Sequence, residues 1–174
     1  MRQLILGGVR SGKSRLAERL ATAFDAPVTY IATAEARDDE LAARIAAHRA
    51  HRPTHWQTVE AGVALGAAIE AAAQPGGVVL VDCLTLWLTQ LLCAADVDTA
   101  LPLQREALLQ AVRASQGELI LVSNETGMGI MPMDALSRRF GDEAGRLHQD
   151  LAASCERVIL TAAGLPLVLK GDPL

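Results

Sequence analysis

Short apolar runs alternate along this chain with segments of helical period. Gln3–Leu6, Val28–Ala32, Gln57–Val59, Val78–Val81, Leu119–Val122 and Val158–Thr161 read as strands. A turn at Gly164 predicts a hairpin from the last of these to Leu167–Leu169. Lys13–Phe24, Asp39–His51, Val63–Ala73, Thr85–Cys93, Leu101–Ala114 and Met133–Ala153 carry helical spacing. Pro27, Pro53, Pro75-Gly76-Gly77, Gly117 and Pro132 separate them; if the Asn124–Gly129 loop is a plain strand–helix connection, Pro132 stands at the first position of the last helix. The strand runs are apolar throughout, so both of their faces should be covered. The pattern predicts an α/β fold of three layers, a mostly parallel sheet with helices on both faces. No repeat, low-complexity tract or linker interrupts it, and one domain over 1–174 is expected. Ligands of such sheets bind beyond the carboxyl ends of the strands. That rule selects Gly7–Ser14, Thr33–Glu35, Glu60, Asp82 and Asn124–Gly129.

The first of these segments reads Gly7-Gly8-Val9-Arg10-Ser11-Gly12-Lys13-Ser14. It is G-x-x-x-x-G-K-[ST], the phosphate-binding P-loop, and it stands between a strand and a helix as the motif requires. Glycines let backbone N–H groups approach phosphate oxygens, and the helix N-terminus adds partial positive charge. Lys13 is expected at the β- and γ-phosphates and the Ser14 hydroxyl on Mg²⁺. The fold expected is therefore P-loop NTPase-like, with a nucleoside triphosphate as substrate.

Composition narrows the function. A net charge of −4 and a pI near 5.5 argue against a nucleic-acid partner. No apolar run reaches membrane-spanning length, and the N-terminus reads as strand and loop rather than a signal peptide. Cys83, Cys93 and Cys155 are odd in number and widely spaced, which points to reduced thiols and a cytoplasmic location.

Two further segments carry candidate chemistry. Val78-Val79-Leu80-Val81-Asp82 is an apolar strand ending in an acid, a Walker-B-like pattern. Asp82 could hold Mg²⁺ or contact nucleotide; the competing reading is a carboxylate capping the following helix. His48-Arg49-Ala50-His51-Arg52-Pro53-Thr54-His55-Trp56 places three histidines and two arginines together. It could be a zinc site, a solvated helix end with cations at the C-terminal dipole, or a nucleophilic imidazole flanked by arginines.

Taken together, Gly7–Ser14, Tyr30-Ile31-Ala32-Thr33, Asp38-Asp39-Glu40, Arg44-Ile45, His48 with Arg52-Pro53, His55-Trp56 and the Asn124–Pro132 run resemble the bifunctional adenosylcobinamide kinase/adenosylcobinamide-phosphate guanylyltransferases of cobalamin synthesis. The resemblance covers nearly the whole chain in the same order. It implies phosphorylation of adenosylcobinamide with ATP or GTP, then transfer of GMP from GTP through a guanylyl-histidine. The matching histidine is His48, with Lys13 as the other catalytic residue. The resemblance places nucleotide contacts at Ala32, Thr33, Ala34, Arg49, Ala50, His51, Arg52, Glu60 and Asp82 besides the P-loop. A carboxylate at Glu60 or Asp82 can accept from guanine N1–H and the 2-amino group, which adenine does not offer as a pair. A homotrimer is also implied. The Arg138–Gln149 helix departs from the family: Gly141 stands where arginine is usual and His148 where asparagine is usual. On the residues alone, His148 is expected at the helix surface or at an interface.

The alternatives are a P-loop kinase for a small metabolite without guanylyl transfer, a GTP-dependent switch, and a histidine metal module. A switch reads guanine through Asn-Lys-x-Asp, which this chain lacks.

Overall fold

The computed structural model describes residues 1–33 and 53–174. In chain order its elements are β1 (Arg2–Gly7), α1 (Lys13–Ala23), β2 (Val28–Ala32), β3 (Gln57–Glu60), α2 (Leu65–Ala72), β4 (Val78–Asp82), α3 (Leu84–Leu92), α4 (Val97–Ala114), β5 (Glu118–Asn124), α5 (Ala135–Ser154), β6 (Arg157–Ala162) and β7 (Leu165–Lys170). The helix expected over Asp39–His51 lies outside the described residues. One seven-stranded sheet runs β3-β2-β4-β5-β1-β6-β7. Every pairing is parallel except the β6–β7 hairpin.

The two-residue periodicity of the strands sorts their side chains into two cores. Leu4, Leu6, Val79, Val81, Leu119 and Leu121 pack with α2, α3, α4 and α5. Ile5, Val78, Leu80, Ile120 and Val122 pack with Leu16, Ala17 and Ala21 of α1. This double burial is why the strands read as unbroken apolar runs. Trp87 of α3 is fully buried in the larger core and donates its indole N–H to Val63 O at 2.9 Å. Trp87→Ala is expected to lower the unfolding free energy by about 3–5 kcal/mol, read from the denaturant midpoint. A loss below about 1 kcal/mol would contradict this packing.

Two boundaries differ from expectation, each for a local reason. Helix α4 starts at Val97 rather than Leu101, because Asp96 O accepts from Thr99 N, Ala100 N and the Thr99 hydroxyl at 2.9–3.0 Å. Pro102 lies inside this helix and made its first turn read as loop. Pro132 is not the first residue of α5. Asp134 is the N-cap, accepting from Ser137 N–H at 2.8 Å. That bond holds the Asp134 carboxyl below its ordinary pKa.

The amino end of β1 is tied to that of β6. The Arg2 backbone N–H donates to Glu156 Oε2 at 2.5 Å, and its guanidinium pairs with the same carboxylate. These bonds push the Glu156 pKa down from 4.5 to about 2. The contribution is complete above the ordinary pKa and is lost as pH falls through the folded value. Glu156→Gln should therefore flatten the acid limb of stability between pH 4.5 and about 2, seen in urea midpoints measured against pH. An unchanged acid limb would show that the pair adds nothing.

Candidate active site

The parallel strands end together. Gly7 stands in register with Asn124 of β5 and Thr161 of β6, and Ala32 with Glu60 of β3 and Asp82 of β4. The residues chosen by the strand-end rule thus line one edge of the sheet, as far as they are described.

The P-loop occupies the centre of that edge. Ser11 N–H donates to Gly8 O at 3.2 Å, and Leu16 N–H to Gly12 O at 3.0 Å, which starts α1. Gly12 is the helix N-cap at φ +94°, a conformation suited to glycine. A Cβ on Gly7 would stand 2.5 Å from Ser11 Oγ and 2.6 Å from Thr161 O, so no other residue fits there. A Cβ on Gly8 meets nothing within 4 Å. The turn of the β6–β7 hairpin supports the loop from beside it, Gly164 N–H donating to Ser11 O at 2.8 Å. Ala163 and Gly164 have φ of 52° and 78°, the paired left-handed conformation of a tight hairpin turn.

Lys13 folds over the loop and donates to Gly8 O at 3.1 Å. Burial lowers its pKa, while the nearby Asp82 and Cys83 act in the opposite direction. Asp82 ends β4 at the same sheet edge as the P-loop. It does not cap α3, whose N-cap is Cys83 with no side-chain bond. Among the described residues, Ser11 Oγ, Thr161 Oγ1 and Asn124 Oδ1 are buried polar atoms without a protein partner, and their residues surround Gly7 at the loop's root. Buried polar atoms of this kind call for a hydrogen-bonding ligand or water. Backbone amides, a lysine and spare hydroxyl groups suit a polyphosphate.

The flanking residues are more varied. The hydroxyl of buried Thr33 donates to Cys83 O at 2.6 Å and accepts from Cys83 N–H at 3.0 Å. Thr33 O accepts from Gln90 Nε2. The side chain of Thr33 thus fastens β2 to the turn after β4. Glu60 is exposed at the end of the edge strand β3, and His55 is exposed beside buried Trp56. Ala34, His48, Arg49, Ala50, His51 and Arg52 lie outside the described residues. All three cysteines are free thiols. Burial and the neighbouring Asp82 raise Cys83 to about 11, and burial with Glu156 raises Cys155 to about 12, so neither is a thiolate at neutral pH.

A polar cluster that the sequence reading missed sits at the exit of β5. His148 is buried, not at the surface, and its Nε2 lies 2.8 Å from Ser123 Oγ. Its Nδ1 is 3.7 Å from Glu125 Oε2. Burial lowers the His148 pKa against the pull of Glu125. Thr85 Oγ1 accepts from Asn124 N–H at 2.8 Å, and Glu125 N–H donates to Gly7 O at 3.0 Å. The strand exit is thereby bonded to the root of the P-loop. The signal was present: Ala144, Leu147, His148 and Leu151 follow the spacing of a buried helix face.

Comparison with known proteins agrees with this geometry. Residues 3–169 match the family model described as cobinamide kinase / cobinamide phosphate guanyltransferase. The bifunctional adenosylcobalamin biosynthesis protein CobP of Pseudomonas aeruginosa is 58% identical over 174 residues, covering 100% of both chains. The bifunctional adenosylcobalamin biosynthesis protein CobU of Escherichia coli is 41% identical over 179 residues, covering 96% of this chain and 98% of its own. Among solved structures, the RadB recombinase superposes with a TM-score of 0.52 at 15% identity, over 91% of this chain and 73% of that one. A Pyrococcus horikoshii protein gives 0.53 at 8% identity, over 99% and 87%. These two likenesses speak to the fold alone, a P-loop NTPase-like arrangement. The strand-end P-loop and the full-length match lead to one assignment: the chain belongs to the cobinamide kinase / cobinamide phosphate guanyltransferase family.

Proposed function

We propose that this protein phosphorylates the hydroxyl arm of adenosylcobinamide with ATP or GTP, then transfers GMP from GTP to the new phosphate to give adenosyl-GDP-cobinamide. The observation that carries the reading is a P-loop at the strand-end edge that also carries Asp82, in a chain that matches the family from residue 3 to 169. In the first reaction the acceptor oxygen bonds to the γ-phosphorus and the bond from that phosphorus to the β-bridging oxygen breaks. The acceptor proton passes to solvent, and the nucleoside diphosphate leaves. Lys13 and the amides of Gly8–Ser14 offset the charge that moves onto the leaving oxygens.

In the second reaction neutral His48 attacks the α-phosphorus of GTP. The bond to the β-phosphate breaks, and pyrophosphate departs from the same loop. The cobinamide phosphate oxygen then attacks the α-phosphorus, breaks the P–N bond and restores His48. Splitting the transfer avoids bringing two polyanions together in one step. Arg49 and Arg52 lie close in sequence and would stabilise the α-phosphoryl charge. Glu60, at the exposed end of β3, is the carboxylate that would read guanine.

Ser14 and Asp82 would hold Mg²⁺. A hydroxyl and a carboxylate next to nucleotide phosphates form a donor set that suits this ion, which would offset the negative charge of the phosphates. No described helix is long and apolar enough to cross a membrane. A single domain, a cytoplasmic location and a homotrimer complete the reading.

The test is incubation with GTP radiolabelled at the α-phosphate. A protein-bound label that is acid-labile and base-stable identifies the phosphoramidate. Absence of label while GDP-cobinamide still forms would sink the covalent route.

A further inference from the structure

A cavity of about 530 Å³ lies between α3, α5 and the segment that joins β5 to α5. Leu92 and Phe140 line it from the two helices, with Ile130, Met131 and Leu136. The last three are 98%, 70% and 53% exposed, and the neighbouring Met128 and Met133 are 76% and 95% exposed. So much apolar surface on a short segment marks a contact site. The segment is held in shape by polar bonds. Arg138 Nη1 donates to Pro132 O at 3.1 Å and to Met133 O at 2.5 Å, and Gly127 N–H donates to Glu125 Oε1 at 2.5 Å.

Its place in the fold selects the occupant. The segment begins at Asn124 and Glu125, whose N–H groups are bonded to Thr85 of α3 and Gly7 of the P-loop. Thr89, one turn further along α3, lines the cavity. An acceptor seated there lies on the side of the P-loop away from α1, along the backbone that leads to the phosphates. A nucleotide is a poor occupant: the Arg138 Nη1 is spent on backbone carbonyls, and the Asp142 carboxylate in the lining repels phosphate. The hydroxyls of Thr89, Thr126 and Ser137 beside apolar walls suit a broad apolar ring edged with carboxamides.

We propose that this cavity and its methionine rim dock the corrin ring of cobinamide, directing the hydroxyl arm toward the P-loop. The inference rests on the kinase reading above. The cavity takes one edge of the macrocycle, and unbranched Met128, Met131 and Met133 adapt to the rest.

The test uses the full chain with Met131→Asp and Leu136→Asp, both at exposed positions, and adenosylcobinamide as probe. Initial phosphorylation rates are measured with cobinamide and ATP varied separately, and the mass of each variant is taken by light scattering. The expected result is a rise of about tenfold or more in the KM for cobinamide, with the KM for ATP within about twofold and the mass unchanged. An unchanged cobinamide KM in both variants overturns the docking site while leaving the kinase reading intact. If the mass falls at unchanged KM, the face belongs to a second copy of this chain and the proposal fails. Where mass falls and KM rises together, hydrogen exchange decides: protection of residues 126–140 of the unmodified protein by adenosylcobinamide supports docking, and none overturns it. A wild-type protein that never phosphorylates cobinamide overturns the functional reading and this inference with it.

Discussion

His48→Ala is expected to abolish guanylyl transfer and to leave the kinase step within about threefold of wild type. The nucleophile of a two-step transfer has no substitute: without the imidazole, the cobinamide phosphate would have to attack GTP directly, anion on polyanion. Losses on the order of 10³- to 10⁶-fold accompany the removal of such a group. The kinase step uses the same nucleotide phosphates but forms its bond at the γ-phosphorus, where His48 has no part. The measurement is a pair of assays on one preparation, ATP-dependent phosphorylation of adenosylcobinamide and formation of GDP-cobinamide from the phosphorylated acceptor. A variant that retains transfer would place the covalent intermediate elsewhere or remove it. A wild-type protein with kinase activity alone would favour a plain P-loop kinase.

Lys13→Ala is expected to cut both activities, each by on the order of 10²- to 10³-fold. Lys13 already bends back to Gly8 O, so its ammonium is positioned before substrate arrives. Its partial burial makes the charge more effective, since less water screens it than at an open surface. In both reactions negative charge accumulates on a leaving oxygen held by the same loop. The two steps therefore lose together, in contrast to the separation expected for His48. Fold loss is checked by the unfolding midpoint, which should move little because Lys13 is only half-buried. A Lys13→Ala protein that loses one activity and keeps the other would show that the two reactions use different phosphate sites.

Much of this architecture was legible because strand burial and motif chemistry agree. The apolar runs gave seven strands near their observed positions, and the P-loop and Asp82 fell at the predicted edge. Their short-range signals are strong: a glycine pattern, a β-run, an acid at its end. What escaped was chemistry dependent on partners distant in sequence. His148 looked like a helix-surface residue because its partners Ser123 and Glu125 belong to a strand and its exit. The bond from the Thr33 hydroxyl to Cys83 spans fifty positions of chain and has no local signal. The support of the P-loop by Gly164 likewise has no local trace. The first turn of α4 was hidden by Pro102, since a propensity penalty inside a helix outweighs a polar start in any short window.

The support given by Gly164 to Ser11 also fixes an order of events. β1 pairs only with β5 and β6, and the loop after it leans on the turn between β6 and β7. On the ribosome the glycine loop emerges well before any of these partners. β5 can join it first, but the support from Gly164 is available only once the β6–β7 hairpin has formed. Nucleotide affinity is thus expected to mature only after β6 and β7 have been made.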